Sequence, residues 1–158
     1  MQKIVTNLWF DAQAEESANF YCSLFPDSEV LNITRYGSAG PGPEGQVMVV
    51  DFQLAGQRFT GINGGPEFKF SEAISLLINC ESQEEVDRYW DALLADGGEP
   101  SQCGWLKDKY GLSWQVVPRE MDEMIASTDA AAAQRTMAAM LRMVKLDLGE
   151  LKRAYAGE

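Results

Sequence analysis

The apolar run "KIVTNLWF", residues 3–10, is rich in β-branched and aromatic side chains and predicts a strand. "DAQAEESANFYCSLFP" then changes to helical spacing, with Ala14, Ala18, Tyr21, Cys22 and Phe25 along one face and Pro26 as the stop. "EVLNITRYG" predicts a second strand and "SAGPGPEG" a flexible loop. "QVMVVDFQLAGQRFTGING" predicts a hairpin turning at Ala55-Gly56. The pattern then begins again. "SEAISLLINC" predicts a strand, and "SQEEVDRYWDALLADGG" a helix with Ser82 as N-cap, Glu85 as its capping-box partner and Gly97 at the C-terminal stop. Val86, Tyr89, Trp90, Leu93 and Leu94 form its apolar face. A loop and a short strand lead into "YGLSWQVVP", a final strand that Pro118 ends.

The two halves align element by element. Glu16 to Tyr21 aligns with Glu85 to Trp90 at an offset of 69 residues, and "AGQRFTGIN" aligns with "YGLSWQVVP", so that Thr60 falls on Gln115. Each half reads strand, helix and further strands, a duplicated βαβββ unit. One helix cannot cover both faces of such a sheet. The fold class expected is therefore α+β: two βαβββ modules forming a curved mixed β-sheet cup with helices outside, plus C-terminal helices. The expected domains are a body over 1–118, with modules at about 1–66 and 71–118, and a helical extension over 119–158.

Alternation assigns faces within the strands. Trp114 and Val116 point to the helices, and Ser113, Gln115 and Val117 to the cup; Leu76, Ile78 and Cys80 point to the helices, and Ser75, Leu77 and Asn79 to the cup. On the first strand Asn7 falls with its neighbours Val5 and Trp9 on the helix side, and Thr6, Leu8 and Phe10 fall in the cup. Asn7 fits a helix-facing position poorly. The tail "REMDEMIASTDAAAAQRTMAAMLRMVKLDLGELKRAY" carries Met137, Met140, Leu141, Val144 and Leu148 at helical steps. This stripe either packs back on its own domain or forms a dimer surface.

Composition narrows the function. The chain has 158 residues, a formal charge of −11 and no histidine. Residues 1–100 hold 5 Lys/Arg against 16 Asp/Glu, and residues 101–158 hold 8 against 8. An acidic surface repels phosphate backbones and anionic lipid, so no nucleic-acid and no membrane partner is expected. Without histidine, Ser-His, Cys-His and H-E-x-x-H schemes are all absent. Cys22, Cys80 and Cys103 are too scattered for a disulfide framework and read as reduced, buried thiols. No apolar run of membrane-spanning length and no export signal is found, which makes the expected location cytoplasmic. The glycine-rich loop lacks the Lys-Ser/Thr and the following helix of a phosphate-binding loop. "LKDKYG" reads as an exposed turn with Gly111 at positive φ. Its functional alternative has Trp105 and Tyr110 gating the cup, with Lys109 offering charge to a ligand.

The stretches "IVTNLWFDAQAEESANFYCSLFPDSEV", "GQRFTGINGGP" and "GWLKDKYGLSWQVVPRE" resemble the PhnB-like family, also called the 3-demethylubiquinone-9 3-methyltransferase domain family. That family lies within the vicinal oxygen chelate superfamily of glyoxalases, bleomycin-resistance proteins and dioxygenases. The tail "MAAMLRMVKLDLGEL" resembles the ending common in the family, so the likeness spans nearly the whole chain. The resemblance implies paired βαβββ modules, homodimers, and a cup that in superfamily enzymes holds a divalent metal through four side chains. By spacing, those positions are Thr6, Thr60, Ser75 and Gln115. None is His or a carboxylate, and neutral hydroxyl and amide oxygens make a weak divalent site. The family's methyltransferase name implies S-adenosylmethionine, but no strand-Gly-helix unit is found to hold it. The sequence thus predicts no metal and no cofactor.

The function expected is metal-independent binding of a small amphipathic or aromatic molecule, with a homodimer as the assembly. Thr6, Leu8, Phe10, Thr60, Ile62, Ser75, Leu77, Trp105 and Gln115 would line its pocket. The alternative is a superfamily enzyme, a glyoxalase- or dioxygenase-like lyase or the methyltransferase of the family name, acting on a small oxygenated substrate with catalytic residues that the sequence does not single out. A purely structural interaction protein is a third possibility, suggested by the Met-rich tail.

Overall fold

The computed structural model describes residues 2–158, which divide into two compact units, one ending at Phe70 and the other spanning residues 71–158. The first unit runs β1 (Thr6–Phe10), α1 (Ala14–Leu24), β2 (Glu29–Arg35), β3 (Val47–Leu54) and β4 (Gln57–Asn63). The second runs β5 (Ser75–Cys80), α2 (Gln83–Leu94), β6 (Glu99–Pro100), β7 (Trp105–Lys107) and β8 (Ser113–Pro118), followed by α3 (Arg119–Ile125), α4 (Ala130–Met140) and α5 (Leu148–Ala156). Each unit is a βαβββ module with its own four-stranded mixed sheet, ordered β1-β4-β3-β2 and β5-β8-β7-β6. In both, the first strand pairs in parallel with the last, and the remaining pairs are antiparallel.

Local chemistry explains the elements. Ala55 and Gly56 both take positive φ at the β3–β4 turn, the geometry that a two-residue hairpin requires. Helix α2 starts at Ser82, whose hydroxyl accepts from Glu85 N–H, while the Glu85 carboxylate accepts from the backbone N–H of Glu81. The capping box is thus present, with its return bond one residue earlier than the usual form. Helix α1 has no side-chain cap of its own. Its first N–H, on Ala14, donates to Asn63 Oδ1 at 2.8 Å, so the last residue of β4 caps it.

Each module helix lies on one face of its sheet. In the first unit Ala14, Ser17, Ala18 and Tyr21 pack over the side carrying Val50, Phe52, Leu54 and Phe59. Small residues on α1 allow this close approach, with Ala14 seated against Gly61. In the second unit Val86, Tyr89, Trp90 and Leu93 form the buried stripe of α2, on the sheet side carrying Cys80, Trp114 and Val116.

The C-terminal helices pack within the second unit. Val117, Met121, Ala139, Met143, Leu146 and Leu151 form one buried cluster. The expected stripe is corrected here: Leu141 and Val144 are exposed, because α4 stops at Met140 and tight turns follow before Asp147 caps α5 through Glu150 N–H. The break changes the helical phase, so Met143 and Leu146 face inward instead. A Lys145–Asp87 ion pair at 2.8 Å and two Gln83 bonds, to Leu146 O and from Leu148 N–H, tie this segment to α2.

The turn "LKDKYG" is also not simply exposed. Gly111 does have positive φ, but Asp108 is 2% exposed and accepts from Tyr110 N–H, Leu112 N–H and Trp114 Nε1–H. This carboxylate organises the turn and fixes the Trp114 ring. Replacing it strands three donors, so Asp108→Ala is expected to lower unfolding stability by about 3 kcal/mol in chemical denaturation. A loss under about 1 kcal/mol would show that water replaces the carboxylate at little cost.

The cysteines are free, with Cys80 buried and Cys22 and Cys103 only half-buried, contrary to the expectation of three buried thiols. Burial, reinforced by Glu85, pushes the Cys80 thiol up to about 12 from 9.0. Above the lower value the unfolded chain ionises this thiol while the folded chain does not, so rising pH favours unfolding. In Cys80→Val, stability should fall less steeply with pH across that window; an unchanged slope would mean that the folded thiol ionises normally.

Candidate functional site

Strand register places side chains in rows across the sheet face opposite each module helix. In the first unit Asn7, Thr60, Asp51 and Asn32 stand side by side, and Trp9, Ile62, Val49 and Thr34 form the next row. In the second unit the rows are Ser75, Ser113, Lys107 and Glu99, then Leu77, Gln115 and Trp105. Thr60, Ile62, Ser75, Leu77, Trp105 and Gln115 therefore lie on the faces opposite the module helices.

Thr6, Leu8 and Phe10 do not. They pair with Phe59, Gly61 and Asn63 on the helix side, where Leu8 and Phe10 are 5% and 3% exposed. Asn7 and Trp9 take the opposite face in their place. The cause is a single residue. Three residues separate β1 from α1 but only two separate β5 from α2, so the offset of 69 that aligns the helices becomes 70 in the strands. A slip of one residue turns every side chain of a strand to its other face. The poor fit of Asn7 was the sequence signal for this flip. Asp51 was legible too: Val50, Phe52 and Leu54 alternate as core residues, which sends Asp51 to the open face.

Hydrogen bonds already join several of these groups. Thr60 Oγ1 donates to Asp51 Oδ1 at 2.8 Å. Gln115 Nε2 donates to Ser75 Oγ at 2.9 Å, a diagonal contact that orients the amide and leaves its carbonyl oxygen outside this bond. Leu77 is 46% exposed, so the row that it shares with Gln115 and Trp105 combines an accessible aliphatic chain, an amide and an indole. At the far end of the face, Val117 is buried in the C-terminal helix cluster rather than open.

In the first unit, residues 64–68 fold over Trp9: its Nε1–H donates to Gly65 O at 2.9 Å, and its ring meets Phe68 edge-on at 4.9 Å. Gly64 is required there, because a Cβ would come within 2.2 Å of the indole. A separate cleft of about 540 Å³ lies between the 36–46 loop and the start of α1, lined by Asp11, Glu15, Tyr36, Gln46 and Asn63. The loop is closed by Tyr36 N–H to Gln46 O and Gly45 N–H to Tyr36 O. Two carboxylates at this cleft argue against phosphate binding.

Lys109 Nζ lies 4.0 Å from Asp96 Oδ2 and 5.5 Å from the Tyr110 ring centroid. Trp105, by contrast, borders a cavity of about 140 Å³ together with Glu72, Ser101, Lys107 and Ser113.

These donors do not fit a divalent metal. Thr6 faces the helix, Thr60 is bonded to Asp51, and Ser75 and Gln115 are bonded to each other; all four are neutral. Among the described residues no group of three or more His, Cys, Asp or Glu could hold a metal ion. A nucleotide-type cofactor fares no better. The turns before α1 and α2 contain no glycine, and both helices open on acidic pairs, Glu15-Glu16 and Glu84-Glu85, which oppose an anionic group at the helix start.

Comparison with known proteins agrees with this architecture. Solved structures share the fold. The fosfomycin resistance protein FosX from Listeria monocytogenes shares it at 16% identity and TM-score 0.53, covering 77% of this chain and 94% of that one. Protein PA1353 from Pseudomonas aeruginosa shares it at 18% identity and TM-score 0.59, covering 72% and 95%. The PhnB protein from Bacillus cereus is 44% identical with TM-score 0.66, covering 72% of this chain and 97% of that one. The sequence pattern of the 3-demethylubiquinone-9 3-methyltransferase family matches residues 2–117, and the chain belongs to that PhnB-like family. The matched region stops before α3–α5. No curated protein matches the chain.

The donor chemistry has a direct readout. Millimolar Mn²⁺ or Ni²⁺ is expected to leave the melting temperature unchanged, since a ligand stabilises only in proportion to its affinity for the folded state. A rise of several degrees that vanishes in Asp51→Asn would show that this carboxylate makes a metal site after all.

Proposed function

We propose that the chain binds a small amphipathic or aromatic molecule without a metal, on the face of the second unit's sheet opposite α2. The observation that carries this reading is the row Leu77, Gln115 and Trp105. An apolar side chain and an indole flank an amide whose orientation is fixed by Ser75. Pockets for small organic ligands combine apolar walls with a few oriented polar groups in this way. Thr60 and Ile62 offer a comparable pairing on the first unit, with Asp51 and Trp9 now taking the places of Leu8 and Phe10.

The reading extends to a cytoplasmic homodimer. Ile4, Phe68 and Ile74 are exposed apolar side chains that a second copy would cover. Nucleic acid and membranes are disfavoured as partners by the net charge of −11, and no helix among the described residues is long and apolar enough to cross a membrane.

Native mass spectrometry of protein purified without added metal or chelator tests all of this in one spectrum. A dimer is expected, with an organic adduct that survives EDTA and is lost in Gln115→Ala or Trp105→Ala. Removing one oriented hydrogen bond or one aromatic wall should weaken retention about tenfold. Stoichiometric metal, or an adduct indifferent to both substitutions, would sink the reading.

A further inference from the structure

The amide of Gln115 is engaged at one end only. Its Nε2 donates to Ser75 Oγ at 2.9 Å, whereas its Oε1 accepts no hydrogen bond among the described residues. Gln115 is half-buried, and this oxygen is not one of the buried atoms left without a partner, so a molecule on the face of the sheet can touch it. Strand register sets the residue between two apolar walls. Leu77, its neighbour on β5, is 46% exposed, and Trp105, its neighbour on β7, is half-buried.

We infer that Gln115 Oε1 selects ligands that donate: the molecule held on this row sets a hydroxyl or N–H against that oxygen, with its apolar body along Leu77 and Trp105. The inference rests on the binding face proposed above and adds which polar group the ligand carries. Ser75 is the positioning residue. It holds the NH2 end of the amide, which leaves the carbonyl end, an acceptor only, for the ligand. A ligand with acceptors alone would shield Oε1 from water without pairing it, and an unpaired acceptor costs more than a formed bond contributes. A carboxylate meets a second obstacle. Lys107 in the adjacent row is already held in an ion pair by Glu72, and Glu99 stands opposite it, so an incoming anion would face two carboxylates and an engaged ammonium.

Phenol and anisole share a ring and an oxygen, but only phenol has an O–H to donate; benzoate only accepts. Titrated against ¹⁵N-labelled full-length protein, phenol is expected to shift the amides of Leu77, Trp105 and Gln115 and to bind about fivefold more tightly than anisole, the increment of one hydrogen bond, with benzoate weaker still. In Gln115→Leu the preference for phenol should vanish. Gln115→Glu, which keeps an acceptor at the same place, should retain it. Ser75→Ala frees the amide to present either end, so the preference should shrink there as well. Equal binding of phenol and anisole by the parent, or a preference that survives Gln115→Leu, overturns the inference. Tighter binding of anisole or benzoate also overturns it, and would mean that the amide presents its NH2 end. In all these cases, shifts at Leu77, Trp105 and Gln115 leave the proposed binding face standing. If no probe moves those amides, the face and the inference fall together.

Discussion

A single helix about 10 Å across cannot cover both faces of a four-stranded sheet, whose strands are spaced about 4.8 Å apart. Everything else in this chain follows from that geometric limit. The βαβββ module supplies one helix per sheet, so each sheet has a dry face and a face that its own helix leaves open. The dry faces hold the large apolar side chains: Phe52, Phe59 and Tyr21 in the first unit, Trp114, Val116 and Leu93 in the second. The open faces collect what a core would reject, namely Asn7, Thr60 and Asp51 in one and Ser75, Gln115 and Lys107 in the other.

The two open faces are not chemical copies. Polar groups run across all four strands of the first sheet in the row of Asn7, Thr60, Asp51 and Asn32, and its aromatic residue Trp9 is engaged by Gly65 and Phe68. The second combines an exposed leucine, a glutamine held by Ser75, an indole and a buried serine hydroxyl. Duplication preserved the backbone pattern and let the side chains diverge. The C-terminal helices add a further difference, since they bury Val117 at one end of the second sheet.

Charge is used in two ways. Most carboxylates lie at the surface, where they set the net charge of −11 and the kinds of partner it repels. Asp108 is instead buried and holds together the turn before β8 by accepting from two backbone N–H groups and the Trp114 indole. The stretch around it looks catalytic in the sequence because it gathers Lys, Asp, Tyr and Trp. Its carboxylate is structural, and Lys109 lies near Asp96 rather than in the row of Gln115.

The sequence by itself determined the module pattern, the β3–β4 turn, the Ser82 cap, and the open-face positions of Thr60, Ile62, Ser75, Leu77 and Gln115. These rest on local periodicity and turn chemistry, which act within a few residues. Tertiary structure alone decided the rest. The side of the sheet to which β1 turns depends on one extra residue between β1 and α1, a difference that helix alignment cannot sense and that moved Leu8 and Phe10 into the core. The burial of Asp108 and of the Ser113 hydroxyl likewise depends on strands distant in sequence. Periodicity shows which side chains share a face; only the packed neighbours show what that face meets.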